Sequence, residues 1–321
     1  MAVPARTVPG PREVAPEFRH EALLYSGEDE FVEEASAFIR DGLEGGEPTL
    51  VVVSARKIER LRDRLNGDAD TVWFADMDAI GRNPAWIIPA WREFVDEHLE
   101  SDVPLRGIGE PISADRSPDA LVECQRHESL LNVAFATGPG FWLLCPYDTS
   151  ALPDEVVDEA RRSHPHVAHA RETVSSAAYH GLDWAAEPFD APLSLPPEGA
   201  ARLRFCLDDL PAVRDLVRLY AAQAGLREDR TGDLVLAVNE LATNSIRHGG
   251  GSGMLTVWST GCSIVCDIVD RGRIADPLAG RVRPPVGSYR GQGLWIASQV
   301  CDLAQIRSHA TGSIVRLHVD S

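Results

Sequence analysis

Glu240 and Asn244 stand four residues apart in a stretch whose apolar residues recur at helical spacing. On a helix, a carboxylate and an amide at that distance are neighbours on one face. Together they suit two tasks, taking up a proton and ligating a hard cation such as Mg2+. Alone the pair signals little, because a polar pair on an outward helix face is ordinarily just solvated. Its companions give it weight. Ile268-Val269-Asp270-Arg271-Gly272 puts an acidic residue at the exit of an apolar strand, ahead of a glycine. Arg290-Gly291-Gln292-Gly293-Leu294 opens a helix with two glycines. Glycines there let backbone N–H groups approach phosphate oxygens, and the positive helix end favours the anion.

The elements around these residues are regular. A helix over 228–248 places Leu234, Val235, Val238, Leu241, Ala242 and Ile246 on one arc and Asp233, Glu240, Asn244 and Arg247 on the opposite arc. Ahead of it comes a strand over 201–207. Asp208 and Asp209, next to Pro211, then start a helix with a stripe of Val213, Leu216, Val217, Tyr220 and Ala224. Behind it come strands over 254–259 and 263–269, a Gly/Pro/Arg loop over 273–290, a helix over 294–301 and two final strands. In the last strand Val315, Leu317 and Val319 alternate with Ile314, Arg316 and His318. Helices gathered on one face of a mostly antiparallel sheet predict an α/β two-layer sandwich.

In this order the motifs resemble the GHKL ATPase superfamily, with its Bergerat nucleotide-binding fold. Within it they resemble the anti-sigma-factor serine kinases of bacterial partner-switching systems. The segment from Glu240 through Asn244 to His248 and Gly249 is similar to that family's N-box, Asp270 to Gly272 to its first glycine box, and Gly291 to Leu294 to its second. The resemblance implies that Asn244 ligates the Mg2+ of bound ATP and that Glu240 is the general base for a serine hydroxyl of a partner protein. It implies that Asp270 accepts a hydrogen bond from the adenine amino group, with Gly272 beside it. Gly291 and Gly293 would admit the phosphates. His248 has two readings, a nucleotide contact or a structural residue at the helix end, and Ser313 would reach adenine indirectly. One position departs from the family: where its glycine box runs D-x-G-x-G, this chain reads Asp270-Arg271-Gly272-Arg273-Ile274, so Ile274, after Arg273, stands where a second glycine is usual. Within the loop 273–290, Arg281, Arg283 and Arg290 are candidates for phosphate contacts, with a solvated lid as the alternative.

The first half, 18–170, alternates strand-like and helix-like segments. Strands are expected at 23–25, 49–53, 72–75, 105–108 and 141–145, and helices at 30–43, 84–98 and 118–136. That alternation predicts a doubly wound, mostly parallel sheet. The stretches from Phe18 to Tyr25, Gly81 to Pro84, Arg106 to Pro111, Glu123 to Glu128 and Leu144 to Asp148 resemble the MEDS sensory domain. That family is thought to be related in fold to the RecA/KaiC ATPases and occurs fused to output domains. After the strand 49–53 comes Ser54-Ala55-Arg56-Lys57, which is no P-loop. A sensor of a small molecule or protein is therefore expected rather than a motor. His20, Glu110, Glu123, His127, Glu128 and Asp148 fall at or near element ends, and Glu110 and Asp148 fit the crevice at the carboxyl ends of strands. Salt bridges and caps are the alternative reading, and the spacings match no strong metal motif.

Composition sets the outer limits. Acidic residues number 49 against 31 basic, a net charge of −18, which argues against a general nucleic-acid binder. The charge belongs to one half: residues 1–170 hold 32 acidic and 16 basic residues (−16), and residues 171–321 hold 17 and 15 (−2). No stretch is long and apolar enough for a membrane span. Residues 1–17 read as a loose tail without a signal-peptide core. The six cysteines, Cys124, Cys145, Cys206, Cys262, Cys266 and Cys301, contain no C-x-x-C, so they signal neither a disulfide scaffold nor a zinc site, and a cytoplasmic chain is expected. Residues 171–200, with Pro188, Pro192, Pro196 and Pro197, read as a linker, with a helix over 173–180 as an extension into it. The expectation is thus a tail (1–17), a sensory domain (18–170), a linker (171–200) and an ATP-binding domain (201–321). Such a chain would act as a serine/threonine kinase and anti-sigma module, with a sigma factor and a STAS-type antagonist as partners and a homodimer as the default. The alternatives are a non-catalytic ATP-binding switch, motivated by Arg273, and a sensor histidine kinase using His180.

Overall fold

Thr49–Val53 and Leu105–Gly109 are short and apolar, as strands covered on both faces must be, and both lie inside a sheet. The computed structural model describes residues 18–99, 103–185, 192–261, 263–285, 287 and 291–321. The tail 1–17, Pro188, Cys262 and Arg290 lie outside the described residues. The first sheet has the order β3-β2-β4-β5-β1-β6-β7. Its strands are β1 (Arg19–Tyr25), β2 (Thr49–Val53), β3 (Trp73–Asp76), β4 (Leu105–Gly109), β5 (Phe141–Asp148), β6 (His166–His169) and β7 (Glu172–Ser175). All pairings are parallel except β6 with β7.

Along β1 the side chains alternate. Leu23 and Tyr25 join Phe31 and Ile39 of α1 (Glu28–Glu44) and Leu61 of α2 (Ala55–Leu65) on one face. Ala22 and Leu24 join Trp91 of α4 (Ile87–Glu97), Leu131 of α5 (Pro118–Ala134) and Val157 of α6 (Asp154–Ser163) on the other. Trp91 lies close over β4 because Gly107 and Gly109 leave room: a Cβ on either would lie within 2.9 Å of the indole. The four-residue α3 (Met77–Ile80) follows β3. α2 is not among the expected helices, yet it carries Ile58, Leu61 and Leu65 at helical spacing and buries the last two.

A helix over 173–180 does not form. Ala170 and Arg171 take φ of 48° and 65°, the left-handed pair of a two-residue hairpin turn. The β-branched Thr173 and Val174 then pair with Ala168 and Val167. The first sheet therefore runs on past residue 170, into the stretch read as linker.

The second sheet is antiparallel throughout, with the order β11-β12-β10-β9-β8. Its strands are β8 (Ala201–Phe205), β9 (Gly253–Thr260), β10 (Ser263–Asp270), β11 (Leu303–His309) and β12 (Gly312–Asp320). On one face pack α7 (Leu210–Gln223), α8 (Glu228–His248) and α9 (Gln292–Val300), with Val213, Val217, Leu234, Val238, Leu241 and Ala297 against Val257, Ile264, Cys266 and Leu317. Ile246 is only partly buried against this core. The opposite face is not open to solvent. Arg316 is buried there, donating to both Asp267 oxygens at 2.6 and 2.8 Å and to Ser194 of the Pro-rich segment at 2.7 and 2.9 Å.

The two halves meet through polar contacts that are largely dry. Glu123 on α5, 1 % exposed, accepts from Arg281 and from Arg307 on β11, each at 2.7 Å. Arg126, one turn further along α5, donates to the Ile306 carbonyl. Asn83 Nδ2 donates to the Ser298 and Cys301 carbonyls at 2.8 Å, at the C-terminal end of α9, and the Trp86 indole N–H donates to Ser298 at 2.9 Å. No helix among the described residues is long and apolar enough to cross a membrane.

Candidate functional site

α8 carries Glu240 and Asn244 one turn apart because its buried arc (Leu234, Val238, Leu241) faces the sheet and leaves the opposite arc half-exposed. What they face is the first turn of α9. A Cβ built on Gly293 would lie 2.6 Å from Asn244 Nδ2 and 3.4 Å from Glu240 Oε2. The glycine is thus required by the close approach of the two helices. Gly291 caps α9 with φ 82°, a conformation that only glycine adopts without strain. Among the described residues, the side chains of Glu240 and Asn244 have no hydrogen bond or ion pair. A carboxylate and an amide left unpartnered beside a glycine-opened helix end fit a nucleotide phosphate group with its divalent cation.

Asp270, at the end of β10, closes the other end of the site. Its Oδ1 accepts from the Gly272 N–H at 2.8 Å and the Ser313 hydroxyl at 2.9 Å, and its Oδ2 accepts from the Ser245 hydroxyl at 2.6 Å. Oδ1 has both lone-pair sites used and Oδ2 keeps one free, and the three donors fix the carboxylate's orientation. A Cβ on Gly249 would lie 2.4 Å from Asp270 Cγ. Helical spacing assigns no role to Ser245, and Gly249 enters only as the end of the segment that resembles the N-box. Their signal is positional, since Ser245 stands one residue after Asn244 and Gly249 ends α8. His248 is exposed at the last position of α8, and its backbone carbonyl lies against Gly272.

The loop arginines divide. Arg281 does not face the phosphate end: it is buried against Glu123 and also donates to the Pro84 carbonyl at 3.3 Å. Burial pushes its guanidinium down to about 10, with Glu123 opposing. A carboxylate from the other half of the chain claims it, so it is unavailable as an anion clamp. Arg271, Arg273 and Arg283 are exposed. His180 lies in irregular chain before a short turn (Leu182–Trp184), its ring against Trp184, and not on a long helix.

In the first half, the carboxyl ends of β1, β2, β4 and β5 surround a cavity of about 260 Å³ lined by Tyr25, Lys57, Glu110, Asp115, Arg116 and Asp148. Lys57, the only lysine of the chain, donates to both Glu110 oxygens and to the Tyr25 hydroxyl, each at 2.6 Å. Burial pushes Glu110 up while Lys57 opposes. Burial also tends to raise Asp148, but the Ser150 hydroxyl and the Gly27 and Ser150 N–H groups hold it below the usual range. Glu123 and Glu128 lie elsewhere, at the interface and inside the domain. Glu128 meets His20, Cys145 and His164 in a buried cluster. Spacing did not reveal it, because its members come from four separate elements.

Residues 19–165 match the model of the MEDS family, the "MEthanogen/methylotroph, DcmR Sensory domain". Residues 204–319 match that of the histidine kinase-like ATPase domain. No curated protein matches the chain. Among solved structures, it is similar to the RsbU and RsbW domains of Rv1364c from Mycobacterium tuberculosis, at 20 % identity over 37 % of this chain and 32 % of that one, with a TM-score of 0.29. It is also similar to the Acinetobacter baumannii histidine kinase AdeS, at 13 % identity over 37 % of this chain and 67 % of that one, with a TM-score of 0.23. The matched part thus spans about a third of the first of these.

Proposed function

For a chain that joins a MEDS sensory domain to a histidine kinase-like ATPase domain of the GHKL type, we propose a regulator in which the first domain controls ATP-dependent phosphorylation of a partner protein by the second. The partner class is a STAS-type antagonist bearing an acceptor serine, whose unphosphorylated form competes with a sigma factor for this chain. Bound ATP supplies the phosphoryl group, and Asn244 holds its Mg2+. Glu240 orients the serine hydroxyl and takes its proton. Asp270, oriented by Ser245, Gly272 and Ser313, receives the adenine amino group. Phosphoryl transfer depends mainly on such positioning and charge neutralisation.

One observation carries this reading: the unpartnered Glu240 and Asn244 converge on Gly293. The test is transfer of radiolabelled phosphate from ATP to purified STAS proteins, with the Glu240→Ala chain alongside. Glu240→Ala is expected to keep nucleotide binding and lose transfer; normal transfer by that variant refutes the base assignment. A second reading rests on the glycine box, which after Arg273 carries Ile274 in place of its second glycine. There the chain binds ATP and grips its partner without chemistry, and tight binding with no transfer to any partner selects it.

A further inference from the structure

Four side chains converge inside the sensory half, away from solvent: His20 on β1, Glu128 on α5, Cys145 on β5 and His164 just after α6. All four are buried, and their ligating atoms lie within 4.8 Å of one another. His20 Nε2 lies 3.3 Å from Glu128 Oε2 and 3.3 Å from Cys145 Sγ, and His164 Nε2 lies 3.4 Å from Glu128 Oε2. The other nitrogen of each ring is already engaged. His20 Nδ1 lies 3.1 Å from Asn132 Oδ1, and the Asn132 amide nitrogen donates to the Ser163 carbonyl at 2.7 Å, which fixes the amide with its oxygen toward His20. His164 Nδ1 lies 2.8 Å from the Ala160 carbonyl. Both acceptors demand a hydrogen on Nδ1, so each neutral imidazole turns an Nε2 lone pair toward Glu128.

This arrangement lacks a positive centre. The Cys145 thiol can donate to the His20 lone pair, but the His164 lone pair and the Glu128 carboxylate face each other in a dry interior and repel. Glu128 Oε1 and His164 Nε2 also lack a hydrogen-bond partner among the described residues. A tetrahedral ion with bonds of about 2.0–2.3 Å needs its ligands about 3.3–3.8 Å apart, and the three contacts have that separation. Charge fits as well. A divalent ion with one thiolate and one carboxylate is neutral overall, which suits a buried site. Imidazoles held by Nδ1–H···O bonds are the usual outer support of metal-ligating histidines.

We propose that His20, Glu128, Cys145 and His164 form a four-coordinate site for a divalent transition-metal ion of the zinc or ferrous class. Binding forms the metal–sulfur bond at Cys145 and releases the thiol proton to solvent. The mixed nitrogen, sulfur and oxygen donors favour such an ion over Mg2+ or Ca2+.

The full chain, purified without chelators, is analysed for bound metal by mass spectrometry. It is then stripped and titrated with Co2+, alongside Cys145→Ser and His164→Gln, with circular dichroism as the control for folding. About one equivalent per chain is expected, with a thiolate-to-cobalt charge-transfer band that Cys145→Ser abolishes. Asn132→Ala, which removes only the support of His20, is expected to weaken binding about 10–100-fold. If a variant does not fold, the charge-transfer band of the unaltered chain still decides cysteine ligation. No metal uptake, uptake without that band, or equal uptake by folded Cys145→Ser and His164→Gln overturns the proposal and leaves a proton-sharing His–Glu–His network.

Discussion

Replacing Glu123 by alanine tests how the two halves are joined. The carboxylate is 1 % exposed, and the guanidinium groups of Arg281 and Arg307 that bind it have side chains only 5 % and 2 % exposed. The substitution leaves two buried cations without this anion. Removing one partner of a buried pair costs about 3–5 kcal/mol, well above the value of a surface pair. At about 2 °C per kcal/mol for a chain of this size, the expected fall in Tm is about 6–10 °C. Calorimetry and urea titration of Glu123→Ala and Glu123→Gln measure it. A double-mutant cycle with Arg281→Ala separates the pair from local repacking. Arg281 and Glu123 are in contact, so their effects should be strongly non-additive, by about 1–3 kcal/mol. A loss below about 1 kcal/mol, the value of a solvated pair, or simple additivity would refute the view that a dry ion triad holds the halves together.

Three further outcomes are expected. Gly293→Ala places a methyl 2.6 Å from Asn244 Nδ2, so nucleotide affinity should fall at least about tenfold while the fold survives, as read by calorimetric titration with Mg·ATP; unchanged affinity removes Gly293 from the site. Lys57→Met leaves Glu110 buried without its cation, so its carboxyl, already pushed above 4.5 by burial, rises further. The folded chain then holds the proton more tightly than the unfolded chain does, so the variant should be least destabilised below about pH 4.5 and increasingly destabilised as the pH rises through the raised folded value; equal destabilisation at about pH 5 and pH 8 contradicts this. Asn83→Ala unties the Cys301 carbonyl and leaves that of Ser298 to the Trp86 indole alone, at a cost of about 1–3 kcal/mol, and hydrogen exchange over residues 292–300 should quicken. Exchange equal to that of the unaltered chain counts against an anchored α9.

The parts of the site legible in the sequence are those that rest on local rules. Glu240 and Asn244 follow from helical spacing, Asp270 from its place at a strand end, and Gly291 and Gly293 from their place before a helix. The helix over 228–248 was readable to the residue because its apolar arc is complete. Long-range pairing was not readable. Arg281 stands in a loop rich in glycine, proline and arginine, beside a phosphate motif. Nothing in its neighbourhood announces a carboxylate 158 residues away. Arg316 alternates like a solvent-facing residue, yet Asp267 and Ser194 bury it. The cluster of His20, Glu128, Cys145 and His164 is assembled from β1, α5, β5 and the end of α6, so no one-dimensional spacing could carry it. The expected helix over 173–180 failed because two left-handed residues turned the chain back into β pairing.

Contacts to the second half and to the buried His–Glu–Cys cluster meet on α5. Glu123 and Arg126 reach Arg281, Arg307 and the Ile306 carbonyl, whereas Glu128 faces His20 and His164, and Asn132 supports His20. Five residues of helix separate Glu123 from Glu128, about 7.5 Å along the axis, and a helix that short moves as a rigid rod. Any change that repositions Glu128 therefore also acts on the Glu123 carboxylate and, through Arg281, on the loop between the two glycine motifs. Asn83 meanwhile ties the far end of the helix that Gly291 and Gly293 open. Glu240 and Asn244 belong to α8, whose own packing against the second sheet does not involve the sensory half. Under the proposed function, control from the first domain would then act on α9 and its glycine motif and leave the proposed base, Glu240, and the proposed metal ligand, Asn244, in place.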